Sequence, residues 1–430
     1  GFHSGRTIGS SLTDFAFQVT HNQAYTTQDY LVNYTAKARG KDFIASTFYI
    51  KNNGELIGML CLNTDTTIIT NFMKDAFMGY GVPERDAEIC TDVLVESDRR
   101  GIESHGCNRF KPIYIDRFEQ GILNPVTNIE VLRETPTTLV YDAHNGMGMV
   151  ASHSMMEKLI KKAKTYGMAA GAIRNSSHYG IAGYWAMMAT RENMIGFTGT
   201  NARPSIAPTF GVEPMLGTNP FTIAMPTDEP FPFVIDCATS ITQRGEIEVL
   251  ARQGKPTPEG RVIGRDGKFM TDSDEILAAL LRGEASFMPV GGYKGYSYAT
   301  VVEILSAALA QGNYMKMLTG IAEDGSKKPH GLGHYFMVFD PEAFMGIDAF
   351  KKTAGDILRA LRASKVAPGR ERIYTAGEME YLKWLDRRDK GVPVGESVQR
   401  ELAAVRDKLG LSQYVFPFER ETSAEMNPDK

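Results

Sequence analysis

From residue 137 onward, strand-like and helix-like segments alternate, and this constrains the chain more than any other feature. "TTLVYD" (137–142) has the β-rich pattern of a strand. "MVASHSMMEKLIKKAKTYG" (149–167) sets Met155, Met156, Leu159, Ile160 and Ala163 on one face of a helix. "AAGAIRN" (169–175) reads as a second strand and "AGYWAMMATREN" (182–193) as a second helix, with "FTIAMP" and "FVIDCATS" as further strands. "YATVVEILSAALAQ" predicts a long helix and "GHYFMVFD" a strand, and two amphipathic helices close the fold between Glu378 and Leu409. Such alternation predicts an α/β domain.

The N-terminal part has a different character. "KDFIASTFYI", a turn at Asn52–Gly54 and "ELIGMLCLN" predict a hairpin over residues 40–65. From Asn71 apolar residues recur at helical spacing, broken by Gly81 and Pro83, which puts a boundary near residue 68. The end, "ERETSAEMNPDK", is a polar tail, and no internal repeat is evident. At 430 residues the chain has room for two to three domains. A net charge of −4 with 43% hydrophobic residues excludes wholesale disorder and offers no footprint for nucleic acid. The longest apolar stretch, 298–310, is interrupted by Glu303 and too short to span a bilayer, so no membrane partner is expected. Cys61, Cys90, Cys107 and Cys237 are scattered without a paired motif, which suits a reducing cytoplasm. No signal peptide is evident, although a first residue of Gly1 leaves targeting open.

Glycine is in excess, 42 residues, and clusters at three motifs. "GMGMVA" (146–151) fits a relaxed dinucleotide fingerprint, but the next strand ends at Arg174 without an acidic residue for a ribose. A glycine-rich helix entry is the commoner explanation. "PVGGYKGYS" (289–297) is either an anion cradle built on Lys294 or a tight turn before the helix at 298. "RNSSHYGIAG" (174–183) sets His178 at a strand-to-helix junction, where α/β proteins place ligands, or where a serine run caps a helix. "ESHGCNR" (103–109) joins Ser104, a histidine suited to proton transfer, and Arg109, expected on the same helical face as His105. A structural ion pair beside a surface histidine is the competing explanation. "HGLGH" (330–334) offers two histidines, but its glycines and the lack of a third ligand argue against a metal.

Taken in order, "SDRRGIESHGCNRF", "NGMGMVASHSMMEKLIKKA", "NSSHYGIAGYWA", "LGTNPFTIAMP", "VIDCATS", "MPVGGYKGY" and "RIYTAGEMEYLKWLDRRDKGVPV" resemble the malate/L-lactate dehydrogenase-like oxidoreductases over about residues 71–411. The resemblance implies a non-Rossmann α/β fold with a mixed-sheet cofactor region (136–299) and a discontinuous helical substrate and dimerisation region (69–135 and 300–413), followed by a polar tail (414–430). It implies reduction of a small 2-oxo acid or cyclic imino acid by NADH or NADPH, in a homodimer. His105 is then the acid at the substrate oxygen or nitrogen, oriented by Ser104, and Arg109 the carboxylate clamp. His178 accepts a proton in some members, while in others His178, Tyr179, Gly180, Ile181 and Ala182 contact cofactor. Thr218 resembles a substrate contact. Ile235, Asp236, Cys237, Met288 and Pro289 resemble cofactor contacts, as do Arg372, Gly377 and Glu378, where Ala-Gly-Glu replaces Pro-Gly-Glu. Glu246 takes the place of an aspartate that completes a relay with Ser-His in imino-acid members, and of a lysine in many hydroxy-acid members.

Residues 1–68, with "HSGRTIGSSLTDFAF", "YLVNYT" and "STFYIKNNGELIGMLCLNTD", resemble the C-terminal half of a PAS-like sensor domain of bacterial transcriptional regulators. The expectation is a hairpin-bearing extension that docks on the enzyme or pairs between subunits; a fragment of a sensor–enzyme fusion or a gene-assembly artefact is the alternative. A metabolite sensor is the alternative of another class.

Overall fold

A computed structural model describes residues 30–38, 41–52, 55–65 and 68–419. Strands β1 (Tyr30–Ala38), β2 (Lys41–Asn52) and β3 (Glu55–Asp65) form an antiparallel sheet in that order. The expected hairpin is β2–β3, and β1 is an additional strand. The tip of the turn (53–54), the first sequence motif of the extension (3–17) and the tail beyond residue 419 lie outside the described residues.

Helices α1 (Ile68–Gly79) and α2 (Glu84–Arg99) follow, separated because Gly81 adopts φ +92° and Pro83 opens α2. Short 3-10 turns at Glu103–His105 and Cys107–Arg109 lead into a π-helical turn, Phe110–Ile115, and α3 (Asp116–Glu119). Then come β4 (Glu130–Glu134), β5 (Thr138–Asp142), α4 (Gly148–Tyr166), β6 (Met168–Ser176), α5 (Ala182–Arg191), β7 (Ile195–Thr200), β8 (Phe221–Met225) and β9 (Phe233–Cys237). The chain continues through α6 (Arg244–Arg252), β10 (Val262–Gly264), α7 (Ser273–Arg282), β11 (Ala285–Phe287), α8 (Tyr293–Ala308) and β12 (Leu332–Phe339). It closes with α9 (Ile347–Arg362), α10 (Glu378–Lys390) and α11 (Glu396–Lys408). β1 lies alongside α10.

The main sheet has seven strands in the order β4-β5-β6-β12-β7-β8-β9. Only β5 and β6 run parallel, joined by α4; every other neighbouring pair is antiparallel. β12 enters between β6 and β7, antiparallel to both, so the parallel dinucleotide-binding sheet cannot form. The fold is the mixed α/β arrangement that the resemblance implied. The sheet takes β4 and β12 from outside residues 136–299.

α4 buries Met155, Met156, Leu159 and Ala163, four of the five residues expected on its inner face. Its entry explains "GMGMVA". A Cβ on Gly148 would stand 2.2 Å from the Ser177 carbonyl oxygen, and one on Gly146 2.8 Å from Thr127 Cγ2. Gly148 serves close packing against the end of β6, and Gly146 against the segment before β4. Among the described residues three buried hydrophobic clusters form, two of them sizeable. The larger joins α1, α2, α4 and α5 to the sheet around Phe72, Leu94, Tyr141 and Trp185. The smaller gathers Ile206, Leu216, Ile247, Val262, Ile276 and Phe287 around α6, α7, β10 and β11.

Candidate active site

The segment carrying His105 is held in a bend from below. Asp98, near the end of α2, accepts the Cys107 N–H at 2.8 Å, and a Cβ on Gly106 would lie 1.8 Å from Asp98 Oδ1. Only glycine allows so close an approach. Burial raises the Asp98 carboxyl to about 6. Arg387 of α10 donates to the Asp98 carbonyl and pairs with Glu103, tying the bend to the late helix. The expectation that Arg109 shares a helical face with His105 is therefore corrected. Gly106, with ψ −140°, separates two single turns, and Arg109 folds back so that its Nε donates to the Ser104 carbonyl. Among the described residues its Nη atoms have no partner.

A cleft of about 540 Å³ opens above this bend, a volume suited to small ligands. Ser104, His105, His178 to Ala182, Thr200 to Ala202 and Thr218 line it. Asp236, Cys237, Ser240 to Gln243, Glu246 and Glu380 also line it. The structure thus brings Ser104, His105, His178, Thr218 and Glu246 together although they span more than 140 residues of chain. Arg109 stands behind the wall.

The two histidine rings stack, with centroids 5.6 Å apart and 20° between planes. Ser104 Oγ lies 2.9 Å from His105 Nδ1, which leaves Nε2 as the nitrogen available for proton exchange. Burial, then the charge of Arg109, lowers the His105 pKa to about 4. His178 Nδ1 accepts the Gly180 N–H at 3.3 Å and lies 2.6 Å from the Tyr114 hydroxyl. An amide can only donate, so Nδ1 carries the lone pair and the proton of the neutral ring sits on Nε2. Burial holds His178 well below the usual histidine value, reinforced by His105, Arg109 and Arg117. Both rings are neutral near pH 7.

The residues expected to touch cofactor divide into three groups. Tyr179, Gly180, Ile181, Ala182, Asp236 and Cys237 line the cleft, and Gly377 lines an adjoining recess shared with Ile181, Asp236 and Glu380. Asp236 accepts the Gly183 N–H at 2.7 Å and the Thr222 hydroxyl at 3.2 Å, and desolvation raises its pKa. Ile235, Met288 and Pro289 are off the wall: Ile235 pairs with Ile223 in the sheet, while the Met288 carbonyl accepts the Ile241 N–H and Pro289 bridges to Ser240, so these two brace the loop that does line it. Arg372 pairs with Glu378 and stacks on Tyr374, forming a bracket near Gly377 rather than part of the wall.

Glu246 does not complete a relay with Ser104 and His105. Its carboxylate accepts from Thr242 Oγ1 at 2.8 Å and pairs with Arg261. A longer side chain than aspartate, anchored on α6, reaches sideways to the arginine. The other glycine motifs also resolve locally. Gly291 and Gly292, at φ +61° and +65°, make a tight turn into α8, with Lys294 exposed. His330 bonds the Leu318 carbonyl, while His334 spans Ser176 and Thr200 hydroxyls in the sheet. Among the described residues no cluster of histidine, cysteine and carboxylate side chains could hold a metal ion, and no helix is long and apolar enough to cross a membrane.

Tyr114, Asn201, Ser240 and Glu380 escaped sequence reading. Tyr114 finds His178 across 64 residues, and no local pattern announces such a pairing. Ser240 carries a buried hydroxyl at the cleft wall that has no partner among the described residues. That orphan donor, the enclosed volume and the backbone of Tyr179 to Ala182 before α5 fit a polar ligand with anionic groups.

Comparison with known proteins agrees with this architecture. Residues 65–403 match the malate/L-lactate dehydrogenase family, and residues 1–78 match a YheO-like PAS domain. The malate dehydrogenase of Pyrococcus horikoshii is 40% identical over 343 residues, covering 79% of this chain and 94% of that protein. The L-sulfolactate dehydrogenase of Methanocaldococcus jannaschii is 37% identical over 340 residues, covering 79% and 94%. The crystal structure of malate dehydrogenase from Entamoeba histolytica superimposes with a TM-score of 0.78 at 38% identity, covering 83% of this chain and 99% of that one.

Proposed function

Because the chain belongs to the malate/L-lactate dehydrogenase family, we propose that it is a nicotinamide-dependent dehydrogenase interconverting small 2-hydroxy and 2-oxo acids. The observation that carries this is the stacked pair of neutral histidines in one cleft, with an arginine directly behind them. NAD or NADP supplies the hydride acceptor when bound. The wall of Tyr179 to Ala182, Asp236 and Cys237, the orphan Ser240 hydroxyl and the recess at Gly377 would hold it.

In oxidation, His105 Nε2 takes the proton of the substrate hydroxyl, which requires the neutral ring favoured here. His178, with its proton on Nε2, donates a hydrogen bond to the same oxygen and does not act as the base. Arg109 binds the substrate carboxylate through its Nη atoms, which fixes the reacting carbon. That carboxylate also offsets the Arg109 charge acting on His105, so the ring holds a proton more readily in the complex and can return it during reduction. Thr218, with its carbonyl held by Thr239, contributes to the substrate end of the wall. The cyclic imino-acid alternative gains no support from Glu246, whose carboxylate serves Arg261.

An assay of 2-oxo acids and cyclic imino acids with both NADH and NADPH tests the proposal. Oxidation of reduced cofactor by a 2-oxo acid is expected, while turnover of imino acids alone would reassign the reaction. A homodimer in the cytoplasm, with the family's mode of association, completes the proposal. The exposed apolar residues Tyr298, Val301 and Ile304 of α8 give such an interface a place to form.

A further inference from the structure

Glu303 interrupts the longest apolar stretch of the chain, and the reaction above does not use it. It faces inward from α8 at 3% exposure, on the same buried side as Ala299, Val302 and Ser306. Among the described residues it forms no ion pair; its two oxygens are divided between neutral donors instead. Oε2 accepts from the Asn219 amide at 2.7 Å, and Oε1 accepts the Met315 N–H at 2.7 Å. Burial pushes the Glu303 carboxyl up, while these donors and the Asn201 amide pull it down. Taking a carboxylate out of water without a cation beside it is costly, so this one is not explained by stability alone.

Both donors sit on strained backbone. Asn219 has φ +31° and Met315 φ +46°, a left-handed region that residues other than glycine seldom adopt. Such conformations persist only where the surrounding structure over-determines them. Asn219 is fully buried, and its amide also donates to the Ala299 carbonyl at 3.0 Å. Its Oδ1 accepts the Ala202 N–H at 3.1 Å, which ties segment 217–219 to segment 200–202. A Cβ on Gly217 would lie 2.5 Å from the Ala202 carbonyl oxygen, so the two segments are pressed together. Ala202 and Thr218 both line the cleft. Glu303 therefore stands one residue behind the cleft, gripping the side chain that links these two parts of its wall.

We propose that Glu303 is a positioning residue for substrate: acting through Asn219, it holds Thr218 and Ala202 in the conformation that receives the 2-oxo or 2-hydroxy acid. This rests on the reading of the Thr218 end of the cleft as the substrate's. The cofactor surface around Asp236, Cys237 and Gly377 does not hang on this carboxylate, so the role separates substrate binding from cofactor binding.

The test compares wild type, Glu303→Gln, Asn219→Asp and the two substitutions together. Glu303→Gln sets an amide against the Asn219 amide, and Asn219→Asp sets a second carboxylate against Glu303. The double variant again faces one donor with one acceptor, at the wild-type charge. Each single variant should raise KM for oxaloacetate and pyruvate about tenfold to a hundredfold with kcat within about threefold, and the double variant should recover most of the loss. The Kd of NADH, read by fluorescence titration, should stay within about threefold in all four proteins. Folded single variants with unchanged KM, a parallel weakening of substrate and NADH, or a double variant no better than the singles would overturn the proposal. If the single variants do not fold, the double variant decides: a KM near wild type supports the role, and a raised KM or failure to fold removes it. If wild type reduces neither 2-oxo acid, the dehydrogenase reading fails, and calorimetric titration of oxamate onto the NADH complex replaces KM. Weaker oxamate binding in the single variants, restored in the double, then upholds the positioning role, and equal binding or none in all four proteins removes it.

Discussion

Gly106 and His105 show how much a single position decides here. An alanine at 106 would drive its methyl into Asp98, 1.8 Å away, so Gly106→Ala should displace the His105 turn and abolish turnover. Steady-state kinetics beside circular dichroism would separate that displacement from unfolding. His105→Ala should lower turnover by about a hundredfold to ten-thousandfold, the range of general acid–base catalysis, and full activity in that variant would overturn its role. The pH dependence carries a sign. With its pKa lowered to about 4, His105 is deprotonated over a wide range, so kcat/KM for oxidation should hold well below pH 6.5 and fall only on approach to 4. Burial is the larger cause and Arg109 the second. Arg109→Gln should therefore move the acidic limb upward by part of that interval, measured with a substrate that still binds.

The helices and strands differ in how they were announced. β5, β6, β8, β9 and β12 were legible because short β-rich runs stood between turn signals, and α4, α10 and α11 because their apolar faces recur at helical spacing. β4, β7 and helices α6, α7 and α9 were not assigned. β4 is exposed along its whole length and so lacks an alternating pattern. α6 buries only Ile247, too little to mark a face. Of the site, Ser104, His105 and His178 were legible in motifs, whereas Tyr114 and Ser240 depend on contacts between distant segments. α10 also has a task that its sequence does not announce. Arg387 braces the His105 bend through Asp98 and Glu103, and Arg387→Met should cost about 1–3 kcal/mol in stability, read by chemical denaturation.

At the scale of the molecule, several buried neutral histidines make stability depend on pH. His105 is lowered to about 4, His334 to about 3, and His178 also lies well below the ordinary value, each chiefly through burial. In the unfolded chain these rings take up protons near pH 6.5. Their contribution is complete above that value and is lost as pH falls towards 3, because the unfolded state binds more protons. Thermal or denaturant unfolding across pH 7 to 4 should show a progressive loss, with each ring contributing up to about 1.4 kcal/mol per pH unit. A flat stability profile would contradict the neutral assignment. The PAS-like extension is tested at the same scale by deleting residues 1–67. Unchanged kinetics and unchanged unfolding would assign it no part in the enzyme, and altered unfolding would support docking through β1 on α10.

The amino-acid sequence by itself determined the α/β class, the order of most elements and the motifs that hold Ser104, His105, Arg109 and His178. Those properties are local, since periodicity, turn chemistry and motif spacing act within a few residues. Tertiary structure decided which partner each of those residues meets. β12 separates β6 from β7, Asp98 bends the His105 turn, and Arg261 draws Glu246 away from a relay. Charge pairing and desolvation depend on distances between remote segments, and only the folded chain fixes them.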